Sequence, residues 1–337
     1  MTTADRHTPP RHPALPPRAF LATPPNAAGA LAVVQLAAEP DGGLAALGIA
    51  PIPVGGFALR DLLGVDRGLI ARPAEHTLLL MPHAGKAVVR SLLDRLGALG
   101  FTLAPPEHPR LRYPEARSVI EALALDALAR AHSPAAIDLL LAQPARWAGA
   151  GLDPDRPDLA SSPTPRDRRL RRLIDPPLIV ALGPPNVGKS TLLNTLAGRS
   201  VALVADQPGT TRDHIGVSID LSGLVVRYAD TPGLRPDPDP IEEAAARIAL
   251  DLARDADLLL LLGDAAHPPP TLPDSLGSSR DVLCVALRAD LGRPAWPHDL
   301  AVSCYAGADL DALAARLRDH LLPPADVHDP APWRFWD

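Results

Sequence analysis

The run GPPNVGKS, from Gly183 to Ser190, places two glycines five positions apart and follows the second at once with Lys189 and Ser190. Glycines at that spacing let a loop curl until several main-chain N–H groups converge on one anion, and a helix start adds about half a positive charge. An ammonium on a flexible stem reaches β- and γ-phosphates as a point charge, and a serine hydroxyl beside it can enter the shell of Mg²⁺. Lys189 is one of only two lysines in the chain, the other being Lys86; arginine supplies the rest of the Lys and Arg charge. The chemistry expected of Gly183, Asn186, Val187, Gly188, Lys189, Ser190 and Thr191 is to hold a nucleotide.

Two later runs fit the same task. PGTTRD, residues 208–213, offers Thr211 as a hydroxyl that completes the Mg²⁺ shell when a γ-phosphate is present. Taken alone it is a turn, and only its position makes it a switch. DTPG, residues 230–233, ends the apolar run LVVRYA, which aims Asp230 at the metal through water and lets the Gly233 amide sense the γ-phosphate. Three such motifs in order are far more specific than any one of them.

These residues need a scaffold. After Pro177 the apolar runs LIVAL, LVVRYAD, DLLLLLGD, DVLCVAL and LAVSC are nearly continuous, as expected of parallel strands covered on both faces. Helical patterns follow at 189–198, 241–254 and 309–321. The expected fold class is α/β: a doubly wound P-loop domain over 177–322, preceded by a small α+β N-terminal domain and a short helical segment. The α+β domain, 18–106, has ALAVVQLAA and EHTLLLMP as strands and GKAVVRSLLDRLGALGF as a helix ending at Gly97 or Gly100. The segment 107–148 is helical, its second helix starting with Ser133 as N-cap and Pro134 at its first position. Residues 1–17 form a proline-rich disordered arm, 149–176 a linker, and 323–337 a tail carrying Trp333, Phe335 and Trp336 that docks either on the domain or on a partner. The linker arginines Arg166, Arg168, Arg169, Arg171 and Arg172 could touch RNA; the plainer reading is a solvated helix end.

Composition narrows the class. A net charge of −6 gives no global reason to expect a nucleic-acid coat, DNA included, or a membrane surface, and 47% apolar residues suffice for real cores. The two cysteines, Cys284 and Cys304, read as buried cytosolic thiols rather than a disulfide. The opening lacks a signal-peptide core, and no apolar run approaches the roughly 18 residues of a membrane span. A soluble, cytoplasmic protein is expected.

Motif order and wording resemble the translation-factor-like GTPases that include Era and, more closely, the MnmE (TrmE) family of tRNA wobble-uridine modification GTPases. The likeness extends forward: FLATPPNAAGALAVVQL and MPHAGKAVVRSLLDRLGALGFTLAPP are similar to that family's N-terminal domain, so that it covers roughly residues 18–322. The resemblance implies an N-terminal domain that dimerises and binds a tetrahydrofolate derivative, and GTP hydrolysis after potassium-dependent pairing of two copies. It implies that Asn186 helps to hold K⁺ and that Glu242 orients the attacking water. A capping or surface glutamate at the start of a helix is the alternative for Glu242, since a first turn favours an acid anyway. It also implies tRNA and a partner modification enzyme.

Departures from the family pattern bear on these expectations. Where guanine specificity normally comes from NKxD, this chain has Leu287, Arg288, Ala289 and Asp290. The carboxylate that separates guanine from adenine is kept, Arg288 can stack on the base, and the asparagine is lost. One missing base bond should weaken binding by about 5- to 150-fold while leaving GTP preferred over ATP. VSCYAGADLDAL keeps the last motif, with the Ser303 and Cys304 main chain facing the guanine oxygen. NAAG, residues 26–29, lacks the family's arginine, which argues against folate. The family's C-terminal helical segment with its cysteine motif is missing, and residues 265–280 stand where a helix is usual. The rival readings are a regulatory switch module that holds nucleotide with little hydrolysis, favoured by LRAD, and an Era-like ribosome-associated GTPase, ranked lower because no GxxG domain follows.

Overall fold

Short apolar runs bounded by turn residues build an antiparallel sheet in the first half of the chain, and longer apolar runs build a mostly parallel sheet in the second. The computed structural model describes residues 16–23, 29–39, 45–158, 161–199, 216–231, 240–269, 271–272, 276 and 280–336, with the side chains of 240–246 outside the description. The chain divides into two units, Met1–Asp126 and Ala127–Asp337.

In the first unit β1 (Arg18–Leu21), β2 (Val34–Ala37), β3 (Phe57–Leu62), β4 (Asp66–Ala74) and β5 (Thr77–Met81) pair antiparallel in the order β1-β2-β5-β4-β3. Helix α1 (Lys86–Ala98) lays Leu92 and Leu96, one turn apart, on a core of Val34, Leu36, Leu62, Ile70 and Leu80. Strand β4 passes so close to β5 that a Cβ at Gly68 would lie 2.3 Å from the Met81 carbonyl oxygen. Helix α2 (Pro109–Arg112) follows, and α3 (Val119–Arg130) carries the chain into the second unit.

There, α4 (Ala136–Leu141) and α5 (Gln143–Gly149) open the unit. The helix expected to start at Ser133 begins instead at Ala136, with no side-chain cap. The Ser133 hydroxyl is taken elsewhere, accepting the Val225 N–H at 2.9 Å. The segment read as a linker carries α6 (Pro165–Leu170), whose first turn is closed by a reciprocal pair: Thr164 accepts from the Asp167 N–H and Asp167 accepts from the Thr164 N–H. Leu170, Leu173 and Ile174 are buried.

The arginines of that stretch bind the chain's own C-terminal residues or near neighbours. Arg166 donates to the carbonyls of Asp326, Asp329 and Pro332, and Arg169 donates to the Asp326 carboxylate at 2.5 and 3.0 Å. Arg172 donates to the Leu321 carbonyl at 2.6 Å, Arg171 to Asp175, and Arg168 to the Pro163 carbonyl. That tail docks on its own unit. Trp333 and Phe335 are fully buried, the Trp333 N–H donates to Gln143 Oε1 at 2.8 Å, and the Trp336 ring lies 5.7 Å from that of Trp147.

The sheet of the second unit runs β11-β10-β9-β6-β8-β7, from β6 (Leu178–Leu182), β7 (Val217–Leu221), β8 (Leu224–Asp230), β9 (Leu258–Gly263), β10 (Val282–Leu287) and β11 (Leu300–Val302). All neighbours are parallel except the edge pair β7–β8. Every residue of β6 and β9 is buried, which is why these runs show no alternation. Helices α7 (Lys189–Arg199), α8 (Pro240–Asp255) and α9 (Gly307–Leu321) match the three helical patterns, and α10 (Pro324–His328) follows. Ala249 and Ala253 of α8 pack on Val180, Leu182, Leu259 and Leu261. No described helix is long and apolar enough to cross a membrane.

Candidate functional site

Parallel pairing brings the carboxyl ends of β6, β8, β9, β10 and β11 to one rim of the sheet, and in doubly wound sheets ligands bind outside those ends. The run Gly183–Ser190 leaves β6 at this rim and enters α7. A Cβ on Gly183 would sit 2.7 Å from the Leu262 carbonyl oxygen, so the loop can leave the sheet only through glycine. Asn186 and Gly188 take left-handed φ values of 59° and 109°, and Val187 is buried beneath the curl. Gly183→Ala is therefore expected to push the loop off β9 and weaken nucleotide binding by about tenfold or more, as read by titration with a fluorescent GDP analogue.

Lys189 lies under this loop. Its side chain is buried, and Nζ donates to the carbonyls of Gly183 at 3.3 Å and Pro184 at 3.0 Å. Burial lowers its pKa from the ordinary lysine value, and the nearby Asp230 carboxylate opposes that shift. Ser190 and Thr191 stand exposed in the first turn of α7. The Ser190 hydroxyl donates to Asp230 Oδ2 at 2.5 Å, joining the start of α7 to the end of β8 across 40 residues of chain. The other oxygen, Asp230 Oδ1, is buried and has no hydrogen-bond partner among the described residues. A buried carboxylate oxygen left over beside a serine hydroxyl is the donor set of a hard cation such as Mg²⁺, which prefers oxygen ligands and keeps some of its waters. Thr231, next along, fixes the end of β8 by donating to the Ala181 carbonyl at 2.6 Å.

Two further segments form the opposite end of the rim. At the end of β10, Leu287 is buried, and beyond it Arg288 turns the chain with φ 57° towards the exposed Asp290. The Arg288 guanidinium, expected to stack on a base, donates to the Asn186 main-chain oxygen and to Asp264. Beyond β11, the Ser303 N–H donates to Asp309 Oδ2 at 2.9 Å, and the Ala306 N–H to the Ser303 carbonyl, shaping the turn that carries Cys304. Burial raises the Cys304 thiol pKa, and the adjacent Asp290 carboxylate adds to the effect. Asp290 and the 303–304 turn follow the adjacent parallel strands β10 and β11, and the Ala289 N–H donates to the Val302 carbonyl at 3.3 Å.

Thr211 and Gly233 lie outside the described residues. Glu242 falls in the first turn of α8, and its side chain is likewise outside the description. Two contributors escaped the sequence reading, Asp264 at the end of β9 and Asp309 in α9. The signal for Asp264 was present: an acid directly after a wholly apolar run, at the end of a parallel strand.

Residues 178–283 match a family model described as a 50S ribosome-binding GTPase. The tRNA modification GTPase MnmE of Acidiphilium cryptum is 50% identical over 150 residues, covering 44% of this chain and 33% of that protein. MnmE of Thermus thermophilus is 42% identical over 146 residues, covering 43% of this chain and 33% of that protein. This part of the chain is similar to GTPase domains, those of MnmE proteins among them. The chain spans about a third of the length of the curated relatives it matches. Among solved structures, Era from Aquifex aeolicus matches 43% of this chain and 56% of that one at 25% identity, with a TM-score of 0.33, too low to add weight. The loop from Gly183 to Ser190, the Ser190–Asp230 pair and the segments after β10 and β11 share one rim of the sheet.

Proposed function

We propose that the chain binds GTP with Mg²⁺ at this rim and hydrolyses it to GDP and phosphate. The observation that carries the reading is the Ser190–Asp230 contact of 2.5 Å with Asp230 Oδ1 left over, directly beside the buried Lys189. Gly183, Val187, Gly188, Lys189 and Thr191 hold the phosphates, and Ser190, Asp230 and Thr211 hold the metal. Bound Mg²⁺ would neutralise phosphate charge. Gly233 senses the γ-phosphate, and Glu242 places the attacking water. Positioning and charge neutralisation, with no covalent step, account for the catalysis. Asp290 selects guanine, helped by the main chain of Ser303 and Cys304, and Asn186 holds K⁺ when two copies pair.

In the cell we place this activity in tRNA wobble-uridine modification, in the cytoplasm, with a dimer formed through residues 18–106 and a partner modification enzyme. The names of the relatives support the tRNA assignment. The internal commitments of Arg166, Arg169 and Arg172 point the RNA surface away from 149–176. A tetrahydrofolate derivative is not part of this reading, because NAAG lacks the arginine of the related motif.

One observation favours a second reading. Buried Leu287 brings no hydrogen-bonding group to the base pocket, as in a switch module that holds nucleotide and rarely turns it over. Phosphate release from GTP, compared in potassium and sodium buffers, separates the two. The expected result is release in both and about tenfold faster release in potassium, the size of a modest charge-stabilisation effect. Equal and negligible release in both would support the module instead.

A further inference from the structure

Two turns stand side by side at the rim, one after β10 and one after β11. Parallel pairing sets Leu287 opposite Val302. Past that pair each segment turns once: the Leu291 N–H donates to the Arg288 carbonyl at 2.9 Å, and the Ala306 N–H to the Ser303 carbonyl at 3.1 Å. The Ala289 N–H, donating to the Val302 carbonyl at 3.3 Å, ties one segment to the other. Counted from the Leu287–Val302 pair, Asp290 and Tyr305 fall at the same place, the third residue of each turn. A carboxylate and a phenol ring therefore occupy matching positions on neighbouring turns, and both residues are exposed. The turn that carries Tyr305 is fixed at both ends, by Asp309 accepting from the Ser303 N–H and by Ala306 serving as N-cap of α9. Tyr305 is 89% exposed and Leu291, closing the other turn, 76%; among the described residues these are the two most exposed large apolar side chains.

A single exposed ring is ordinary on a protein surface. A ring and an aliphatic side chain on two fastened turns, with an exposed carboxylate between them in the chain order of the rim, suit a flat partner with an apolar face and a hydrogen-bonding edge. From this geometry we propose that Tyr305 is a base-binding residue, whose ring stacks on one face of the purine while Asp290 holds its edge. The proposal rests on the nucleotide-binding reading above and names what covers the base in it. Arg288, the other planar group of this corner, has its guanidinium engaged by Asp264 and the Asn186 carbonyl. A tyrosine suits the task because it offers a large face and has only two side-chain torsions to fix. The two neighbouring residues then divide the work: Asp290 distinguishes one purine from another, and Tyr305 adds an affinity common to purines, since every base has a face to stack.

The test uses the full chain and three competitors. GDP, IDP (whose base lacks the exocyclic amino group) and base-free tripolyphosphate, each with Mg²⁺, are titrated to displace a ribose-labelled fluorescent GDP analogue. The proteins are the unaltered chain, Tyr305→Ala, Tyr305→Phe and Asp290→Ala, each checked for folding by circular dichroism. Tyr305→Ala is expected to weaken GDP and IDP equally, by about tenfold, the size of one base–aromatic stack, and to leave tripolyphosphate within about twofold. Tyr305→Phe, which keeps the ring, should recover to within about threefold of the unaltered protein. Asp290→Ala should weaken GDP more than IDP, because only GDP presents the amino group to that carboxylate. Tyr305 is so exposed that its truncation should not unfold the unit. Unchanged GDP affinity in Tyr305→Ala would overturn the proposal. So would an equal loss for tripolyphosphate, which would make the residue a support of the fold, or a loss for GDP alone, which would place it at the edge of the base. If the analogue does not bind the unaltered protein, or tripolyphosphate does not displace it, it is the nucleotide reading that fails.

Discussion

Lys189→Ala is expected to weaken GDP and GTP binding by about 1000-fold, equivalent to about 4 kcal/mol, while leaving the far-ultraviolet circular dichroism unchanged. The magnitude follows from two charge-assisted hydrogen bonds to phosphate, worth about 1.5–3 kcal/mol each. Lys189 is buried under the loop with Nζ donating to Gly183 and Pro184, so the same ammonium also holds the curl that aims the main-chain N–H groups. Lys189→Arg should recover little, because a planar guanidinium does not fit where a compact ammonium is enclosed. Titration of a fluorescent GDP analogue reads both variants. Affinity retained in Lys189→Ala would remove the basis for the phosphate site.

The second large effect is on stability. Trp333→Ala is expected to destabilise the second unit by about 4 kcal/mol, the usual cost of truncating a buried tryptophan, and to lower its melting temperature by roughly 8–16 °C. Trp333 is fully buried, its main-chain N–H donates to Gln143 Oε1, and its indole N–H donates to the Asp167 carbonyl at 3.3 Å. Phe335 meets its ring edge-on at 5.5 Å, and Arg334 Cζ stands 5.4 Å from the Trp336 ring. Removing the indole opens a cavity among α5, α6 and the tail and takes the indole donor from the Asp167 carbonyl. Trp333→Phe should cost about 1–2 kcal/mol, since most of the volume is kept and one hydrogen bond is lost. A calorimetric shift below about 2 °C for Trp333→Ala would show that the tail contributes little to the unit, given that 1 kcal/mol moves a unit of this size by about 2–4 °C.

How far the proposed phosphate site can be read from sequence depends on how local its chemistry is. Gly183, Gly188, Lys189 and Ser190 lie within eight consecutive residues between a strand and a helix, so their cooperation is written in spacing alone. The near-continuous apolar runs announced parallel strands because burial on both faces removes the need for polar alternation. Edge strand β7 was missed, since its run VSIDL is short and partly exposed. Ser133 shows the opposite failure: a serine before a proline carries a correct local signal for a helix start, and strand β8 claims its hydroxyl instead.

The sequence by itself determined the α/β class, the order of strands and helices around the loop from Gly183 to Ser190, and the residues we propose for phosphate and metal. Each of these follows from periodicity or from turn and charge chemistry acting over a few residues. Only the tertiary structure decided that Asp264 anchors Arg288 on the loop, that the arginines at 166, 169 and 172 serve the chain's own C-terminal residues, and that Trp333 closes on Gln143 from 190 residues away. A charged or aromatic side chain has many acceptable partners of the right type. Which one it finds depends on which strand lies beside which, and that is fixed by the packing of the whole unit rather than by the residues on either side.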